Sequence, residues 1–222
     1  MVVQERARVT RDRVLSAAGE LFAQHGYHGT AISQVLEAAG VTKGALYFHF
    51  PGKAALAAGV LAHRPPALDL PPHPVRLQAL ITLMQTYAAA LRTDPQLRGA
   101  AQLAAEPDFA TGHDILPAVI AVRDLLTEAA LAGELLPDVD PAESAELIIT
   151  TFTGFYLRVQ DTESGRSLEE WLVVMWRHLL PGLAMPGLAF ALRALAENPA
   201  VAGEGTAATA TEEAPEKIPA PG

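Results

Sequence analysis

The stretch Gly40-Val41-Thr42-Lys43-Gly44-Ala45-Leu46-Tyr47-Phe48-His49-Phe50 divides its residues between two tasks. Leu46 and Phe50, with Val41 in the preceding turn, belong inside a helix packing. Thr42, Lys43, Gly44, Ala45, Tyr47 and His49 are left facing out. Thr42 is a good N-cap for a short helix predicted over Lys43–Phe50. A small, polar and aromatic face on such a helix suits the major groove of DNA, where lysine donates to guanine O6 or N7 and alanine or threonine touches a thymine methyl. Glycine inside a helix costs about 1 kcal/mol relative to alanine, so Gly44 points to a close approach of backbone to something outside.

Upstream, Val14, Ala18, Leu21 and Phe22 recur at helical spacing in a helix predicted over Arg6–His25, with Gly26 as its C-cap. Thr30 is placed to cap a second helix with a buried stripe of Ile32, Val35, Leu36 and Ala39, and Gly40 supplies the reversal. Two short helices joined by a glycine-containing turn form a helix-turn-helix, the second being the reader. Downstream, Pro51-Gly52 ends the reading helix and Lys53–His63 reads as a connecting helix. Pro65, Pro66, Pro71, Pro72 and Pro74 then mark a stiff connector.

The remainder reads as helices over Arg76–Arg92, Pro95–Glu106, His113–Ala132, Pro141–Gln160, Leu168–Leu180 and Gly187–Glu197. Asp140-Pro141-Ala142-Glu143 and Ser167-Leu168-Glu169-Glu170 are strong start signals. There is no strand-like alternation and no internal repeat. The expected fold is therefore all-α: a helix-turn-helix domain at 1–51, a connecting helix at 52–64, and a helical domain at 65–197. The segment 198–222, rich in Ala, Gly, Thr, Glu and Pro, is predicted to be disordered.

The 222 residues are half hydrophobic, dominated by Ala, Leu and Val, with no cysteine. That composition suits closely packed helices and a reducing compartment. Met1–Arg13 lacks the apolar core of a signal peptide, and no uncharged apolar run is long enough to span a membrane, so a cytoplasmic protein is expected. The net charge of −9 is unevenly spread. Residues 1–64 hold seven Lys/Arg against four acids, a net of +3, so the rest carries −12. A basic head on an acidic body is compatible with a nucleic-acid partner. An enzyme would have to use His113-Asp114 or His178, yet neither lies in a nucleophile elbow or a zinc-binding pair. No catalytic residue, metal or cofactor is expected.

Phe22-Ala23-Gln24-His25-Gly26-Tyr27, Thr30, the Gly40–Phe50 run and Lys53 together resemble the DNA-binding domain of the TetR family of repressors. Val41–Phe50 looks closest to the γ-butyrolactone receptor branch, and Gly133-Glu134-Leu135-Leu136-Pro137 and His178-Leu179-Leu180-Pro181 are similar to it too. The resemblance implies that Lys43 contacts a base edge, that Thr42, Tyr47 and His49 reach phosphates or bases, and that Thr30, Ser33 and Lys53 hold the DNA backbone. It further implies a homodimer built by helices 141–160 and 168–180, binding a palindrome of double-stranded operator DNA, and a helical body that takes a small-molecule effector such as a γ-butyrolactone-like signal or an antibiotic intermediate.

Pocket candidates come from the apolar faces of the body helices: Leu83, Met84 and Tyr87; Ala118, Val119 and Val122; Phe152, Phe155 and Tyr156; Trp171 and Met175. Receptors of the branch usually carry a pocket tryptophan where this chain has about Ala118, whereas its tryptophans are Trp171 and Trp176. These two face about 140° apart on a helix, one toward core or pocket and the other toward solvent or a partner. Such a departure fits a pseudo-receptor answering to another metabolite. A regulator that binds DNA without any ligand would share the same N-terminal signature and is the alternative reading.

Overall fold

The computed structural model describes residues 2–63, 69, 71–110, 117–160 and 165–197, with backbone alone at 2, 3, 110 and 117–119. The head comprises α1 (Val2–Gly29), α2 (Ile32–Ala39), α3 (Lys43–His49) and α4 (Lys53–Leu61). The body comprises α5 (Arg76–Thr93), α6 (Pro95–Ala105), the short α7 (Pro107–Ala110), α8 (Pro117–Leu131), α9 (Pro141–Gln160), α10 (Leu168–Leu183) and α11 (Pro186–Glu197). No strand occurs among the described residues; a single bridge pairs Leu135 with Ala184. The fold is all-α, as the sequence predicts.

Local chemistry sets most boundaries. Gly40 (φ 59°) closes α2 in the left-handed conformation that glycine tolerates, and Thr42 Oγ1 accepts from Ala45 N–H at 3.3 Å to cap α3. Asp140 Oδ1 accepts from the Ala142 and Glu143 N–H groups, and Ser167 and Glu170 form a reciprocal capping box. The Gly133–Pro137 motif has a structural use. The buried Glu134 carboxylate accepts from Arg76 and Leu77 N–H, each at 2.8 Å, and so caps α5 from 57 residues away in sequence.

Two expectations need correction. The N-cap of α2 is Ala31, not Thr30. Gly26 (φ 67°) breaks α1 so that the chain turns back, and the buried Thr30 hydroxyl lies 2.8 Å from the Gly26 carbonyl and 3.1 Å from that of Leu21, serving orphaned carbonyls of α1. Helix α10 continues past Leu180 to Leu183 with Pro181 inside it. That proline has no N–H to offer the Arg177 carbonyl, and it lies on the exposed side of the last turns. Residues 111–116 and the whole of 198–222, including the predicted disorder there, lie outside the described residues.

Two hydrophobic cores result. The head core gathers Val14, Ala18, Phe22, Val35, Leu46, Phe50, Leu56 and Val60, and each large side chain fully buried there contributes about 1.5–3 kcal/mol. Ala100 and Leu103 of α6 complete this core, so the head is finished by a body helix rather than closing on itself. The body core joins the inward faces of α5, α8, α9, α10 and α11 around Leu80, Ile81, Leu126, Ile148, Leu172 and Trp176.

The seam between head and body is close-packed. A Cβ placed on Gly99 would sit 2.5 Å from the Gly19 carbonyl oxygen and 2.6 Å from Gly19 Cα, so α1 and α6 touch backbone to backbone. Polar bonds flank this contact. Arg98 donates to Glu20 at 2.5 Å, Tyr27 N–H donates to Glu106 at 2.8 Å, and His63 Nε2 lies 2.7 Å from Asp94 Oδ2. The Arg98 bond holds the Glu20 carboxyl below its ordinary range, with Gln24 assisting.

Candidate nucleic-acid interface

With 3.6 residues per turn, Gly44 and Phe48 lie on the side of α3 opposite the buried Leu46, and Lys43 and Tyr47 form a neighbouring strip about 100° round the helix. All four are exposed. Thr42 lies exposed at the helix start, while Ala45 and His49 flank the face and are half-buried. Lys43 Nζ sits 5.8 Å from the centre of the Tyr47 ring, close enough for a cation–π contact that leaves the ammonium in water. A Cβ on Gly44 would meet nothing within 4 Å, so packing within the chain does not require glycine there.

Flanking groups extend this surface. Ser33 is exposed on α2. Lys53 Nζ lies 4.5 Å over the Tyr27 ring and 3.5 Å from the His28 carbonyl, which fixes its long side chain beside the end of α1. Thr30 does not join them, because its hydroxyl is committed to α1 carbonyls. Arg11 stacks over Phe50 at 5.6 Å, and Arg13 donates to the Ala39 carbonyl at 2.7 Å where α2 ends, which adds positive charge to the same end of the molecule. Sequence reasoning left Phe48 unassigned. It is 80 % exposed, and its place two residues from the inward Leu46 and Phe50, about 160° round the helix, was the signal that it points outward.

Residues 14–60 match the family model described as bacterial regulatory proteins, tetR family. Over 190 residues the chain is 37 % identical to the A-factor receptor protein of Streptomyces griseus, covering 85 % of this chain and 68 % of that one. The chain belongs to the TetR family. A crystal structure of a γ-butyrolactone receptor, an ArpA-like protein, superposes with a TM-score of 0.65 at 26 % identity, covering 86 % of this chain and 96 % of the other. CprB of Streptomyces coelicolor, solved in complex with its biological operator sequence, superposes with a TM-score of 0.67 at 28 % identity, covering 85 % and 96 %. Within the TetR family, then, this chain falls beside the γ-butyrolactone receptors.

In the body of this TetR-family chain, the pocket candidates gather into two aromatic pairs. Phe155 of α9 stacks on Trp171 of α10 with ring centres 4.9 Å apart and planes 17° apart. Tyr87 of α5 meets Phe152 of α9 edge-on at 5.6 Å. Met84, Val122, Tyr156 and Met175 are buried in the same core. The Tyr156 hydroxyl donates to the Arg98 carbonyl at 3.2 Å and so ties this region to α6. Loss of water around Tyr87 pushes its phenol well above the ordinary value, with Tyr156 and Asp94 adding to the effect. Leu83 lies off the inward stripe of α5 and does not join the core. The side chains of Ala118 and Val119 lie outside what is described. Trp176 is fully buried and Trp171 half-buried, in keeping with their different directions on α10. Among the described residues, no group of three His, Cys, Asp or Glu could hold a metal ion, and no helix is long and apolar enough to cross a membrane.

Proposed function

We propose that this TetR-family regulator is a homodimeric repressor that binds palindromic operator DNA in the cytoplasm and lets go when a small molecule occupies its body, controlling antibiotic or other secondary metabolism. The outward face of α3 carries the proposal. Lys43 offers a base-reading cation, Gly44 and Ala45 let the backbone come close, and Tyr47, Thr42 and His49 reach the surrounding bases and phosphates. Ser33 and Lys53 hold the DNA backbone from outside the reading helix. The operator complex of CprB supports the DNA partner, and likeness to the A-factor receptor and to a γ-butyrolactone receptor supports an effector.

Dimerisation is supported by α9, where Leu147 (54 % exposed) and Leu157 (43 %) stand out to solvent. Burying such residues against a second copy gives a two-fold axis, which places two α3 helices on major-groove faces about 34–36 Å apart. The effector site lies among Tyr87, Phe152, Phe155, Trp171 and Met175, with Met84, Val122 and Tyr156 behind them. With alanine at 118 rather than a tryptophan, the site is less enclosed and favours a flatter or larger apolar metabolite over a simple γ-butyrolactone. Release requires only that the effector prefer a body conformation in which the two heads no longer fit adjacent grooves.

The test is a mobility-shift assay on the DNA flanking the gene, repeated with metabolite extracts while tryptophan fluorescence is followed without DNA. A shifted band that an extract component abolishes, together with a fluorescence change, supports the proposal. A shifted band that no extract affects leaves a ligand-free regulator, and potent release by a simple γ-butyrolactone overturns the ligand class.

A further inference from the structure

Phe48 has an unusual position for a large apolar side chain. It is 80 % exposed, and its ring contact is an edge-on meeting with its neighbour His49 at 5.0 Å. Exposed single apolar residues are common on protein surfaces and ordinarily need no explanation. This one differs in its surroundings, because it lies one helical turn beyond Gly44 on the side of α3 turned away from the buried Leu46, with the exposed Lys43 and Tyr47 on the adjoining strip. A substituent on Gly44 would meet nothing within 4 Å, so the surface N-terminal to the ring is low and open. A helix entering the major groove along this face carries the Phe48 ring in with it. The main apolar feature of that groove is the thymine C5-methyl group, and phenylalanine is among the side chains that contact it.

We propose that Phe48 is a second sequence-reading residue, its ring seated on the C5-methyl group of a thymine in each operator half-site. The inference rests on the operator-binding reading and names part of its specificity. Five residues separate Phe48 from Lys43, roughly 7.5 Å along the helix axis. The two side chains also point about 140° apart round the helix, so they meet different parts of the groove. Lys43 supplies a hydrogen-bond donor and Phe48 an apolar surface, so the two select different bases at different positions.

The experiment starts with duplexes enriched from a random library by the full-length wild-type protein. Each thymine of the enriched sequence is then replaced symmetrically by deoxyuridine, which removes only the methyl group. At one thymine per half-site, wild-type affinity falls about fourfold for a single replacement and about 15-fold for both, the effect of one buried carbon per site. Phe48→Ala binds the thymine and deoxyuridine duplexes equally and enriches sequences without that thymine, yet keeps the preference that depends on Lys43. Phe48→Leu retains part of the discrimination. The exposed position leaves the melting temperature of both variants unchanged. The inference is overturned if wild type tolerates deoxyuridine at every thymine, or if Phe48→Ala discriminates as well as wild type. Enrichment without methyl sensitivity sinks the role of Phe48 alone, whereas failure of the wild type to enrich any sequence sinks the operator-binding reading along with it.

Discussion

Replacing Gly99 by alanine adds one methyl group at the tightest point between head and body. The new Cβ would lie 2.5 Å from the Gly19 carbonyl oxygen, 2.6 Å from Gly19 Cα and 2.9 Å from the Gly19 carbonyl carbon. All three are backbone atoms of a long helix, so no side chain can swing aside, and α1 and α6 must separate by around 1 Å, given an optimal carbon contact of about 3.5–4.0 Å. Overpacking of this kind costs typically 1–3 kcal/mol, with a backbone clash toward the upper end. Better helix propensity returns about 1 kcal/mol. A net loss of about 2 kcal/mol follows, which lowers the melting temperature of a chain this size by roughly 4–8 °C. Gly44→Ala is the control, since the same change in another helix meets nothing within 4 Å and leaves stability equal or slightly higher. Thermal unfolding followed by circular dichroism reads both. A melting temperature for Gly99→Ala at or above wild type would refute the close contact of α1 with α6.

Other perturbations separate the parts of the account. Lys43→Ala is expected to cost about 1–3 kcal/mol of operator affinity and to relax the base preference at one position per half-site, whereas Lys53→Ala weakens all sequences alike; competition binding against base-substituted duplexes distinguishes them. Gly44→Ala, though neutral for folding, is expected to weaken operator binding in a filter or anisotropy assay, and unchanged affinity would remove the backbone-approach role. Glu20 titrates below its ordinary range in the folded state because Arg98 bonds to it, so its contribution is present above the unfolded carboxylate pKa and disappears as pH falls through the folded value. Glu20→Gln should accordingly flatten the loss of stability between neutral and acid pH, which denaturant melts at several pH values will read.

Legibility in the sequence followed the range of the interactions. Caps that act within three residues, at Thr42, Asp140 and Ser167, were readable because donor and acceptor lie side by side in the chain. Helix α9 starts at its expected residue, Pro141, for that reason. Partners far apart in sequence were not readable. Glu134 looked like part of a family motif, and its capping of α5 depends on a loop returning across the body. Thr30 has the side chain of an N-cap, yet the left-handed turn at Gly26 directs it backward. The dual membership of α6, with Ala100 and Leu103 in the head core and Leu97 in the body core, blurs a boundary that the proline-rich connector placed at 64. On α3, the polar residues of the outward surface were clear from residue type, while Phe48, whose apolar ring argued against its outward helical phase, went unassigned.

On the proposed function, the head of this chain grips operator phosphates and bases as one of two symmetric readers. The most direct measurement is the operator dissociation constant of the purified protein as a function of salt. Several phosphates neutralised per half-site predict that affinity drops by about 10³-fold or more between 50 and 200 mM monovalent salt. A flat salt response on an operator-length duplex would contradict the claim.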